Sequence, residues 1–168
     1  MKRYVRFLVA IGILLVISIL VLGVDMWQRK AASQPASTAT PLPPGSLPIY
    51  FNDLLVGGFS PADLEKLPKV SFTDNVENKL QEGWLLRDVI LLYITKEKLK
   101  PDSLVIVSSS SRGKKAQLTW SEVELETNLV MFDLSNRGTL KLVSAALPSL
   151  DTREEWVQDV DRIEIKAP

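Results

Sequence analysis

Residues 108–115, SSSSRGKK, concentrate hydroxyl groups, the backbone amides flanking Gly113 and the positive charges of Arg112, Lys114 and Lys115. Hydroxyls, amides and cations are the donors that hold a phosphate, a sulfate or an anionic headgroup, so this segment is a candidate anion site. A solvated hairpin tip is the plain structural reading of the same residues. Ser111 and Lys114 also match the S-x-x-K pairing of penicillin-binding enzymes. That chemistry needs the serine at the start of a buried helix together with companion motifs, neither of which the sequence displays.

Trp84, Trp120 and Trp156 supply aromatic surface that either lines a ligand groove or packs in the core, and Trp84 joins the basic residues as a candidate ligand contact. Glu122, Glu124 and Glu126, like Asp159 and Asp161, set carboxylates two residues apart, a spacing that makes a solvated face and no complete calcium loop. The chain contains no cysteine and no histidine. Cysteine- or histidine-ligated zinc, Cys or Ser-His nucleophilic machinery and imidazole acid–base chemistry are therefore excluded. Asp, Glu, Lys, Ser, Thr and Tyr are the side chains left for catalysis.

The elements that must position these residues begin after a long apolar run. Residues 7–24, FLVAIGILLVISILVLGV, form eighteen consecutive uncharged positions, enough for a helix of about 27 Å that matches the hydrocarbon core of a bilayer. Lys2, Arg3 and Arg6 precede it, whereas Asp25, Arg29 and Lys30 follow, which keeps the N-terminus cytoplasmic and exports the rest. A cleaved signal peptide is the alternative. Its apolar region usually spans about 7 to 15 residues before a small-x-small site, and here bulky Asp25, Met26 and Trp27 follow the run. The expectation is an uncleaved anchor over residues 1–30 in the cell membrane, crossing it once, with the C-terminal domain extracytoplasmic. Residues 31–48, AASQPASTATPLPPGSLP, hold five prolines among small and hydroxylated side chains and read as a spacer without a core.

Residues 49–168 have the size of one domain. Of the 20 basic and 20 acidic residues, five and one lie in residues 1–48, which leaves 15 and 19 in the domain and a net charge of −4. Such a surface lacks the basic field that nucleic acid requires.

Along the domain, residues 49–56 read as a strand ending at a Gly57-Gly58 turn. A helix starts at Ser60 with Pro61 in its first turn and stops before Pro68. Residues 69–73 alternate as a strand, residues 74–83 read as a polar run, and residues 84–95 carry apolar side chains at helical spacing. Strands follow at 104–108 and 116–120 about the 109–115 tip. Ser121 and Glu124 suggest a capping box, and strands at 129–134 and 139–145 flank the Asn136-Arg137-Gly138 turn. A closing strand spans 156–165. Short helices among many strands predict an α+β fold with a mixed or antiparallel β-rich sheet.

The order of the segments GFSPADLEKLPKV, GWLLRDVILLYI, PDSLVIVSS, QLTWSEV and EWVQDVDRIEI resembles the sulfite-oxidase-type molybdopterin-binding domain. The resemblance spans nearly all of residues 49–168 and implies a scaffold in which a short helix ending in Leu-Pro, a Trp-led helix, a central strand pair and a final Trp-to-Ile strand follow in turn. It also implies a molybdenum-ligating cysteine in the segment before the Trp-led helix. Here that segment is residues 71–82, SFTDNVENKLQE, without a thiol. The expectation is a divergent member with no cofactor and no metal: a membrane-anchored extracytoplasmic domain that binds a small ligand or a protein and performs no catalysis. The alternative is a carboxylate-dependent hydrolase of the cell envelope.

Overall fold

The computed structural model describes residues 42–168 apart from 75, 77 and 151. The expected anchor at residues 1–30 and most of the spacer lie outside the described residues. Among the described residues no helix is long and apolar enough to cross a membrane.

In chain order the described residues form β1 (Leu47–Phe51), β2 (Leu54–Phe59), α1 (Pro61–Leu64), β3 (Lys69–Thr73), β4 (Leu80–Leu85) and α2 (Leu86–Leu91). Next come β5 (Leu104–Ser109), β6 (Lys114–Thr119), α3 (Trp120–Glu124), β7 (Met131–Leu134), β8 (Leu140–Val143) and β9 (Arg162–Lys166). They build a five-stranded sheet in the order β2-β1-β9-β5-β6 and a four-stranded sheet in the order β3-β4-β7-β8. Pairing is antiparallel except between β1 and β9, which run parallel with Ile49 opposite Ile163. This is an α+β, β-rich fold with short helices.

Both sheets feed one core. Ile49, Val105, Val107, Ile163 and Ile165 come from the larger sheet, Trp84, Phe132, Leu140 and Leu142 from the smaller, and Leu86, Val89 and Ile90 from α2. Phe59 and Phe132 meet across it with ring centroids 6.1 Å apart. On its other face the four-stranded sheet carries a smaller apolar cluster of Leu85, Met131, Val143 and Trp156.

Several expectations from the sequence are corrected. Residues 49–56 are not one strand but parts of the β1–β2 hairpin. Its turn residues Asn52 and Asp53 both have positive φ, 49° and 64°, as a two-residue hairpin turn with the right twist demands. Asn and Asp tolerate that region, so the turn sits there and Gly57 and Gly58 lie inside β2. The polar run 74–83 is a tight turn leading into β4, and Trp84 and Leu85 end that strand; the helix begins only at Leu86. The capping box at α3 is Thr119 with Glu122, where the Glu122 carboxylate accepts from Thr119 N at 2.6 Å and Oγ1 at 2.8 Å. Regular closing-strand structure starts at Arg162, because Asp159 turns the chain with φ 54°.

Candidate functional site

Strand alternation decides which polar residues gather on the outer face of the four-stranded sheet. In β4, Trp84 points into the main core, so Gln81, Gly83 and Leu85 point outward. The register sets Gly83 opposite Asp133 and Asp133 opposite Lys141, which brings Gln81, Asp133 and Lys141 to one patch of that face. The close approach at Gly83 is essential to it, because a Cβ there would stand 1.8 Å from the Phe132 carbonyl oxygen.

Lys141 organises the patch. Its ammonium donates to Gln81 Oε1 at 2.7 Å, lies 3.0 Å from Asp133 Oδ2, and stands 4.8 Å from the centroid of the Trp156 ring. Trp156 is laid over it by the neighbouring bridge, in which Val157 and Leu142 exchange backbone hydrogen bonds. Burial pushes the Asp133 carboxyl above its ordinary pKa, and the hydrogen bond and charge of Lys141 oppose that rise without cancelling it. An ammonium can only donate, so it must face the amide oxygen of Gln81 and leaves the amide NH2 turned elsewhere. That buried NH2 and the buried indole N–H of Trp156 have no acceptor among the described residues.

Above this floor opens a cleft of about 390 Å³ whose rim includes Lys79, Arg137, Arg153 and Gln158. Arg137 is delivered by the β7–β8 turn. Gly138 closes that turn at φ 76° and Ser135 Oγ bonds Thr139 Oγ1 at 2.7 Å. Asp133 is the one carboxylate among the described lining residues.

The residues singled out in the sequence are distributed otherwise. Trp84 is buried in the core with 1% exposure and lines no groove, and Trp120 is buried at 2%. Arg112 and Lys114 do come together, at a second cleft of about 290 Å³ that shares Arg153, Trp156 and Gln158 with the first. Arg112 is already engaged there by Asp159, with Nε 2.6 Å from Oδ2. Lys115 is exposed on the opposite face of β6, since Lys114 shares its face with Ala116 and Leu118. The cations of the SSSSRGKK tip thus do not converge on one point.

The carboxylates at alternate positions serve separate structural partners. Glu122 caps α3, Glu124 pairs with Lys96 and Glu126 pairs with Arg87. Asp161 accepts from the Ser110 backbone N–H at 2.7 Å, and Asp159 from Arg112, Arg137 and Thr139.

The segment that the family resemblance assigns to a molybdenum thiolate is a turn closed on itself. Asp74 N donates to the Lys79 carbonyl at 2.9 Å, and Asp74 Oδ1 accepts from Val76 N at 2.9 Å. Its side chains offer hard oxygen and nitrogen donors and no sulfur, so it does not fit a thiolate-bound molybdenum. Among the described residues no group of three or more His, Cys, Asp or Glu side chains is placed to hold a metal ion.

Gln81, Asp133 and Lys141 were not evident as a site from residue types alone. The available signal is polar residues standing at outward positions in strands flanked by apolar neighbours, with opposite charges at facing positions of one hairpin. No protein-family model matches this chain, and no curated protein matches it.

Proposed function

We propose that the protein is a membrane-anchored, extracytoplasmic binding domain without catalytic chemistry, and that the cleft over Gln81, Asp133 and Lys141 is its ligand site. The observation that carries this reading is the cleft itself, about 390 Å³ with an aromatic wall and a few fixed polar groups. Small-molecule sites typically enclose about 300 to 1,000 Å³ with that combination of walls and polar anchors. Anchoring rests on residues 7–24 and on the basic flank before them. The scaffold reading, a divergent sulfite-oxidase-type domain, rests on the order of its sequence landmarks.

The alternative of a carboxylate hydrolase finds less support. Glycoside hydrolysis by paired acids needs a second carboxyl group about 5 to 9.5 Å from the first, and Asp133 stands alone among the described residues of the cleft.

Two measurements on the full chain test the proposal. Protease added to intact spheroplasts should digest the domain, and alkaline washing of membranes should not release it. A photo-crosslinking residue at Gln158 on the cleft rim should capture a ligand or partner from the cell envelope. Cytoplasmic protection from protease would overturn the topology, and an uncaptured rim would overturn the site. Cell-envelope hydrolysis that disappears in Asp133→Asn would favour the hydrolase instead.

A further inference from the structure

Resting on the reading of that cleft as the ligand site, we infer that its ligand carries an oxyanion, a carboxylate or phosphate-type group, recognised by Lys141 and the rim cations. The cleft is rich in donors and poor in acceptors. Lys79, Arg137, Lys141 and Arg153 line it against the single carboxylate Asp133, which Lys141 already neutralises. The domain as a whole has a net charge of −4, so this excess of positive charge is local to the cleft. Beneath it lie two orphaned donors, the Gln81 NH2 and the Trp156 indole N–H, each buried without an acceptor among the described residues.

A buried donor without a partner is costly, and an acceptor-bearing ligand relieves that cost while its charge is balanced by the rim. A cation would find the reverse arrangement, with one carboxylate and several repelling charges. A neutral apolar ligand would leave both donors unmatched. Lys141 is fixed by Gln81 and the Trp156 ring, which holds its charge at the floor of the cleft at little further entropic cost when a ligand arrives.

The test titrates the full-length protein in neutral detergent micelles with phosphate, sulfate and citrate against potassium chloride of equal ionic strength. Melting temperature and tryptophan emission are followed. At least one of these anions should raise the melting temperature saturably, by mass action on the folded state, and change the emission, the latter disappearing in Trp156→Phe. Lys141→Met should weaken the effect by about tenfold or more, as loss of a charge-assisted contact does. Asp133→Asn removes the opposing negative charge and should tighten anion binding several-fold, whereas a cation site would be weakened by the same change. Should Lys141→Met prove unstable, Asp133→Asn and Trp156→Phe alone decide the matter.

Anions acting no differently from chloride, or weaker anion binding in Asp133→Asn, would overturn the inference. If the Gln158 crosslinker still captures a ligand in that case, only the oxyanion assignment falls. If it captures nothing, the cleft itself is not the site.

Discussion

Arg112 Nε donates to Asp159 Oδ2 over 2.6 Å, so the tip of the β5–β6 hairpin is fastened to the segment that precedes β9. Asp159 also accepts from Thr139 Oγ1 at 2.7 Å and lies 3.2 Å from Arg137 Nη2, both on the β7–β8 connection. One carboxylate therefore joins loops that belong to different sheets. The tip is consequently a structural fastening first, and its arginine is spoken for.

Arg112→Ala should lower stability by about 0.5 to 1 kcal/mol, the range of a half-exposed ion pair, since the Arg112 side chain is 44% exposed. Lys115→Ala, on the other face of β6, should stay within about 0.5 kcal/mol of the parent. Urea unfolding of the two variants checks the contrast, and equal losses would mean that the Asp159 contact contributes nothing.

Asp133 and Asp159 should give opposite pH dependences. The hydrogen bond from Thr139 and that from Arg112 hold Asp159 below its ordinary value, so the unfolded chain takes up that proton first. Its stabilisation is present above the ordinary carboxylate range and is lost as pH falls through the lowered native value. Burial raises Asp133, so the folded state takes up its proton first, and stability increases as pH falls from the raised native value toward the ordinary one. Melting temperature against pH should therefore pass through a maximum on the acid side of neutrality. Asp159→Asn should flatten the acid limb and Asp133→Asn the rise above it; curves parallel to the parent's would refute the assignment.

Ile90 is fully buried on α2 within the main core. Ile90→Ala should cost about 2 to 5 kcal/mol, a large part of the roughly 5 to 15 kcal/mol of a typical domain. An unchanged melting temperature would show that α2 is peripheral.

Gly83→Ala should be worse than ordinary overpacking, which costs about 1 to 3 kcal/mol, because the atom in the way is the Phe132 backbone oxygen. Soluble yield and thermal melting measure it. Normal folding of this variant would mean that β4 and β7 separate more readily than their register implies.

Hairpins and caps were legible in the sequence where local chemistry decides them. The helix start at Ser60-Pro61, the β5–β6 pair and the β7–β8 turn at Asn136-Arg137-Gly138 all appear as their residues require. The start of α2 was not, because Trp84 and Leu85 satisfy a helical apolar period equally well when they end a strand. Only pairing with Met131 and Phe132 resolves the two. The candidate site was hidden for a related reason. Gln81 and Lys141 are 60 residues apart in sequence, and no local pattern marks two polar side chains that meet across a sheet. The Asp133–Lys141 half was within reach, since the intervening turn fixes their register.

The position of β9 in the middle of the five-stranded sheet, between β1 and β5, bears on how the chain acquires its structure. Of the described strands it is the last to leave the ribosome, yet it is the one on which β1 and the β5–β6 hairpin both depend for neighbours. Before it arrives, β1–β2 and β5–β6 are isolated ribbons, each with an unsatisfied edge, and two-stranded ribbons are marginal in water. Cooperative closure must therefore wait for nearly the whole chain, which spares a segment threading through a membrane from folding too early and makes the partly made domain a ready substrate for chaperones and proteases.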